Sequence, residues 1–150
     1  MLIKPEYVFI HHSLTKDSGS VSWPAIRNYH VNKLGWREIG YHYGIEMINN
    51  QNPQTSYYEI LVGRFEGETG AHTKGYNSNS IGICLVGNHD DVPISPAKWK
   101  LTLQLVMNIC LRYKIPSKNV LAHREVASYK SCPGNLFDIE KFRNNLNELI

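Results

Sequence analysis

Two histidines and a cysteine stand where a strand end and a short loop would present them. The chain reads Phe9-Ile10-His11-His12-Ser13 near its start, and Ala122-His123-Arg124 running on to Lys130-Ser131-Cys132-Pro133-Gly134 near its end. A His and a Cys on one loop, joined by a distant His, supply three metal donors. Three protein donors leave one tetrahedral position for water, which separates a catalytic zinc from a structural one. His11 and His12 are neighbours on an expected strand, so their side chains face opposite sides and only one can join the site. The pattern does not choose between them. A second chemistry uses the same residues, with Cys132 as a nucleophile and His123 as its base. A metal-bound thiolate would be consumed as a ligand, so the two schemes exclude each other.

Other signatures are missing from the sequence. There is no C-x-x-C pair, H-E-x-x-H helix or P-loop, which removes zinc ribbons, thermolysin-like proteases and P-loop nucleotide hydrolases. A G-x-S-x-G nucleophile elbow is missing too. Of the three cysteines, Cys84 lies in the apolar run Ile81 to Val86 and Cys110 in a helical apolar stripe. Both read as small buried apolar residues. An odd count without dense spacing argues against a disulfide scaffold.

The elements that must carry these residues follow from the hydrophobic pattern. Tyr7 to His12 is a short apolar, β-branched and aromatic run, as expected of a buried strand. Ser22 and Pro24 open a helix that Gly35 closes. Tyr43 to Ile48 and Tyr57 to Val62 read as strands around the turn formers Asn49 to Gln54, hence a hairpin. Gly63 to Ser80 is a long glycine-rich loop, and loops of that length are often functional. Ile81 to Val86 is a buried strand. Ser95-Pro96 opens the clearest helix, with Trp99, Leu103, Val106, Met107, Cys110 and Leu111 at helical spacing until Ile115-Pro116. Asn119 to His123 is a short strand. Asp138 caps a last helix whose face carries Ile139, Phe142, Leu146 and Leu149. The order β-α-β-β-β-α-β-α implies an α/β fold: one domain with a central mixed β-sheet flanked by about three helices. His11 and His123 would both end strands, and α/β sheets keep their chemistry at such ends. Trp23, Trp36 and Trp99 read as core residues, since two sit in helical patterns and one closes a helix.

Bulk properties agree. The 150 residues suffice for one domain with a real core. Apolar content of 42% and charged content of 19% are ordinary for a globular chain. A net charge of +3, without a Lys/Arg run, marks no nucleic-acid surface. The start has no basic region followed by a long apolar stretch, so neither a signal peptide nor a membrane span is expected.

Five blocks, in order, carry a resemblance: Phe9 to Ser13; Gly40-Tyr41-His42-Tyr43; Gly70-Ala71-His72-Thr73-Lys74-Gly75-Tyr76-Asn77; Ser80 to Gly87; and His123 to Gly134. Together they cover most of the chain. It resembles the zinc-dependent N-acetylmuramoyl-L-alanine amidases of the type-two amidase and peptidoglycan-recognition-protein superfamily, and within it the small phage lysins. The resemblance implies Zn2+ held by His11, His123 and Cys132, which makes His12 a neighbour. It implies Tyr41 and Lys130 as catalytic residues. Lys130 would stabilise the oxyanion, and Tyr41 would orient the water or the tetrahedral species. A tyrosine pKa near 10 makes proton abstraction unsuited to neutral pH. His72, in the loop beside the cleft, is assigned substrate contact or support of a ligand. His42 would face away from Tyr41.

The implied reaction is hydrolysis of the amide between N-acetylmuramic acid and L-alanine in bacterial peptidoglycan, by a phage endolysin. The alternatives are a muropeptide-recycling amidase and a peptidoglycan-binding module. Binders generally lack the cysteine donor. A phage member of this group also inhibits its phage RNA polymerase through a surface that includes its N-terminal segment. Ten residues precede His11 here, fewer than in that relative, so this partner is not predicted. The expectation is a monomeric catalytic domain spanning 1–150 without a wall-binding module. It would be made in the host cytoplasm and act on the wall after release.

Overall fold

The structure is a computed structural model that describes residues 2–15, 22–48 and 57–150. One five-stranded sheet organises these residues. Its strands are β1 (Tyr7–His12), β2 (Tyr43–Met47), β3 (Tyr58–Val62), β4 (Ser80–Leu85) and β5 (Val120–Ala122). They lie in the order β3-β2-β4-β1-β5. Only the β2–β3 pair is antiparallel; the other three neighbours run parallel, so the sheet is mixed. The antiparallel pairing of Tyr43 with Val62 through Met47 with Tyr58 is that of the expected hairpin, whose turn lies outside the described residues.

The central strands explain their own sequences. Val8, Phe9 and Ile10 on β1 are inaccessible to solvent, and every residue of β4 is buried. Parallel strands covered on both faces read as unbroken apolar runs rather than alternating ones. On one face, Val8, Ile10, Ile81, Ile83 and Leu85 pack under α2 (Pro96–Tyr113) and α3 (Ile139–Asn147). Ser95 caps α2 by accepting from Lys98 N, and Asp138 caps α3 by accepting from Lys141 N. Such caps contribute about 1 kcal/mol each. Trp99, Phe137 and Phe142 pack ring against ring where the helices meet; Trp99 is half-buried, packed against the core from its edge rather than inside it as expected. On the other face, Trp23 from α1 (Trp23–Asn28) packs with Ile39, Cys84 and Val86.

Three further details differ from the sequence reading. The first helix continues as a wider π-helical turn, Tyr29–Lys33, before Gly35 turns the chain at φ +75°. Leu111 is exposed while Ile109 is buried. The buried stripe of α2 runs Lys98, Thr102, Leu105 and Ile109, with Leu103, Val106 and Cys110 beside it, and Leu111 lies one step past its edge. Leu149 follows the end of α3 and is exposed.

β1 and β5 pair in parallel with Ile10 opposite Ala122. The next residue along each chain segment is a histidine, His11 still on β1 and His123 directly after β5. His11 and His123 therefore stand together at the sheet's carboxyl edge.

Candidate metal centre

His11 is the fifth residue of β1 and faces the side opposite Ile10. His123 opens a short 3-10 turn, His123–Glu125, directly after β5. Cys132 follows on the loop beyond that turn. Donor atoms of these three side chains all lie within 4.8 Å of one another. Cys132 Sγ is 3.7 Å from His11 Nδ1, and the His11 and His123 ring centroids are 4.6 Å apart. The backbone N–H of His12 donates to Cys132 Sγ at 3.4 Å. The Cys132–Pro133 peptide is cis. His12 itself points to the opposite face, where its Nδ1 accepts from His89 N at 3.1 Å. Of the two neighbouring histidines, His11 is the one whose side chain lies with His123 and Cys132.

Burial sets the protonation of this group. Burial holds His11 well below its ordinary pKa, reinforced by the neighbouring His72, His123 and Lys130. Burial, with the Lys130 charge added, brings His123 down to about 4. Both imidazoles are therefore neutral near pH 7, with lone pairs to offer. Burial pushes the Cys132 thiol up to about 11. A nucleophilic cysteine needs a lowered pKa, so this environment disfavours the Cys–His nucleophile scheme. A cation would instead stabilise the thiolate directly.

The other expected residues gather around the same spot. Tyr41 lies on the cleft wall with its ring centroid 5.2 Å from that of His11. Its hydroxyl bonds the Cys84 sulfur, and burial holds its pKa well above the ordinary value. Tyr41 therefore keeps its proton at neutral pH. Cys84 is a buried thiol on β4 in register with His11, outside the donor group. Lys130 is exposed at the cleft mouth, stacked near Tyr129 with Nζ 5.9 Å from that ring.

His72 does more than line the cleft. Its Nδ1 is 3.0 Å from His11 Nε2 and 2.9 Å from Thr73 Oγ1. Thr73 Oγ1 is itself 3.2 Å from His11 Nε2. Both backbone N–H groups, of His72 and Thr73, donate to Asn77 Oδ1 at 2.8 Å. Asn77 thus folds the glycine-rich loop so that His72 and Thr73 reach the nitrogen of His11 that points away from Cys132. A Cβ at Gly82 would lie 2.5 Å from the His72 ring, so β4 needs glycine there. His42 faces the core side: its Nε2 is 2.8 Å from the Glu68 carbonyl, and its Nδ1 accepts from Gly82 N at 3.0 Å.

The donors sit in a cleft of about 540 Å³ that continues into a groove of about 600 Å³. Trp36, Ala71, His72, His123, Tyr129 and Lys130 line both. Trp36 is thus half-buried on the cleft wall, packed on His30 with ring centroids 4.6 Å apart, not in the core as its sequence context suggested. A tryptophan after a helix-closing glycine carries no local mark that separates a core position from a cleft wall. Thr73 and Tyr129 were also unmarked, although each adjoins a residue that was singled out.

A mixed sheet with a His–His–Cys donor group at the carboxyl edge of two parallel strands defines an α/β protein with a candidate metal centre in an open groove. The N-acetylmuramoyl-L-alanine amidase family profile matches residues 2–135. The endolysin of Escherichia phage T7 is 35% identical over 148 residues, covering 95% of this chain and 87% of that protein. Peptidoglycan-recognition protein SC2 of Drosophila melanogaster is 34% identical over 134 residues, covering 85% of this chain and 67% of that one. Among solved structures, the endolysin N-acetylmuramoyl-L-alanine amidase LysCS from Clostridium intestinale URNW superposes with a TM-score of 0.79 at 26% identity. It covers 97% of this chain and 85% of that one. The chain belongs to the N-acetylmuramoyl-L-alanine amidase family.

Proposed function

We propose that this protein is a zinc-dependent endolysin of the phage type, hydrolysing the amide between the lactyl group of N-acetylmuramic acid and L-alanine in peptidoglycan. One observation carries the reading: His11 from the first strand and His123 and Cys132 from one distant stretch of chain converge, their donor atoms within 4.8 Å of one another, in an open cleft. Two imidazoles and a thiolate suit zinc, and three protein donors are the number a catalytic zinc takes. Zinc held there would supply Lewis acidity, lowering the pKa of its water to about 7 and polarising the amide carbonyl.

The side chains around the centre supply the rest. His11 and His123 bind as neutral imidazoles, and Cys132 binds as a thiolate. That donor charge leaves the site net positive, so it still favours negative charge developing on the carbonyl oxygen. Lys130, exposed in the cleft lining, adds an ammonium beside the centre. Its role is to stabilise the oxyanion. Tyr41 keeps its proton, so its hydroxyl orients the attacking water or the tetrahedral species rather than acting as a base. His72 braces His11 from behind and is among the residues lining the groove where substrate would lie.

Purified protein supplied with zinc is expected to release new alanine amino groups from intact sacculi. Release from soluble anhydro-muropeptides alone would replace the lysin reading with a recycling amidase. Zinc uptake with no new amine from either substrate would leave a binding protein and sink the enzyme reading.

A further inference from the structure

Resting on the metal reading above, we infer that Arg124 and Asp90 are positioning residues that fix Cys132 relative to His123 and thereby set the affinity of the centre for its metal. Arg124 follows His123 directly, inside the His123–Glu125 turn. Its backbone N–H donates to the Cys132 carbonyl at 2.8 Å. Its guanidinium reaches three more carbonyls of the same loop. Nη1 donates to Gly134 O at 2.7 Å and to Ser131 O at 3.4 Å, and Nη2 donates to Phe137 O at 2.6 Å. The residue after one metal donor therefore grips the chain on both sides of another.

Asp90 holds the same segment from the loop after β4. Its Oδ2 accepts from Ser131 Oγ at 2.9 Å, and its Oδ1 accepts from Asn135 N at 2.8 Å. The backbone beside it is engaged too. Leu136 N donates to His89 O at 2.9 Å. Gly134, at φ +117°, packs so closely that an added Cβ would lie 2.3 Å from the His89 carbonyl carbon.

The physical need is plain. Residues 131–136 lie in neither helix nor strand, so no ladder of backbone bonds sets where Cys132 stands. Metal donors must be held to within about 0.5 Å of their productive geometry. A guanidinium is a planar fork of five N–H donors, able to hold several carbonyls at fixed angles, whereas an ammonium is a point charge on a flexible stem. Loss of contacts that orient metal donors costs about 10- to 100-fold in affinity.

The test is zinc affinity by chelator competition, together with the thiolate-to-cobalt charge-transfer band of the cobalt-loaded protein. Arg124→Ala is expected to bind zinc about 10- to 100-fold more weakly, with a diminished cobalt–sulfur band. Arg124→Lys keeps the charge but not the fork, and recovers only part of the loss. Asp90→Ala weakens binding in the same direction, and carries the test if Arg124→Ala does not fold. Arg112→Ala, which breaks an ion pair with Glu66 outside the cleft, is expected to bind zinc as the parent does. Parental affinity and an unaltered cobalt band in folded Arg124→Ala and Asp90→Ala would overturn the inference. An equal loss in Arg112→Ala would overturn it as well, by tracing the effect to general destabilisation. A parent protein that takes up no zinc would instead bring down the metal reading itself.

Discussion

Cys132 enters the metal-free protein as a thiol, because burial pushes its pKa up to about 11. His11 and His123 are already neutral at pH 7. At pH 6, where both imidazoles are neutral and a zinc-bound water with a pKa of about 7 keeps its proton, zinc uptake should therefore displace about one proton per ion, that of the thiol. Calorimetry in buffers of differing ionisation enthalpy measures that number, and a value near zero would mean the thiol is not a ligand. Cys132→Ala is expected to lose zinc and activity, whereas Cys84→Ala keeps zinc, since Cys84 contacts Tyr41 rather than the donors. Metal analysis of the two proteins separates them. Lys130→Ala should keep zinc but lose about 10²- to 10³-fold in kcat, the usual cost of removing a group that stabilises an oxyanion. Parental turnover in that variant would remove Lys130 from the chemistry.

β1, β5 and the glycine-rich loop divide the work of building the centre. The two strands fix His11 and His123 by register, and the loop brings His72 and Thr73 behind His11. β4 makes room for that loop at Gly82. Gly82→Ala would drive a methyl group into the His72 ring. The expected cost is about 1–3 kcal/mol of stability, in line with other overpacked sites. Urea denaturation of the metal-free protein checks this, and an unchanged midpoint would show that the ring moves aside freely. The strands were legible because buried parallel strands announce themselves as apolar runs. Trp36 was misplaced because periodicity reports burial along one element, not which second element a residue meets.

The whole fold should weaken in acid before its carboxylates titrate. His12 and His123 have pKa values of about 4, against an ordinary value of 6.5. Between those values the unfolded chain binds protons that the folded chain refuses. Stability is thus intact above pH 6.5 and is lost as pH falls toward 4. Lower still, Glu66 adds to the loss. Burial alone would raise its pKa, but hydrogen bonds from Arg112, Tyr113 and Tyr43 outweigh that and hold it below its usual value. Denaturation midpoints of the metal-free protein at pH 7 and pH 5 test the sign. A higher midpoint at pH 5 would contradict it.

Residue types and local period determined the elements, their order and the candidate donors, because hydrophobic periodicity and turn chemistry act over a few neighbours. Tertiary structure decided what depends on contacts between distant segments. It placed His11, not His12, on the face where His123 and Cys132 stand, and turned His72 toward His11. It also set Trp36 on the cleft wall and gave Arg124 and Asp90 the Cys132 loop to hold. Those outcomes follow from strand register and loop packing, which residues far apart in the chain settle only once they touch.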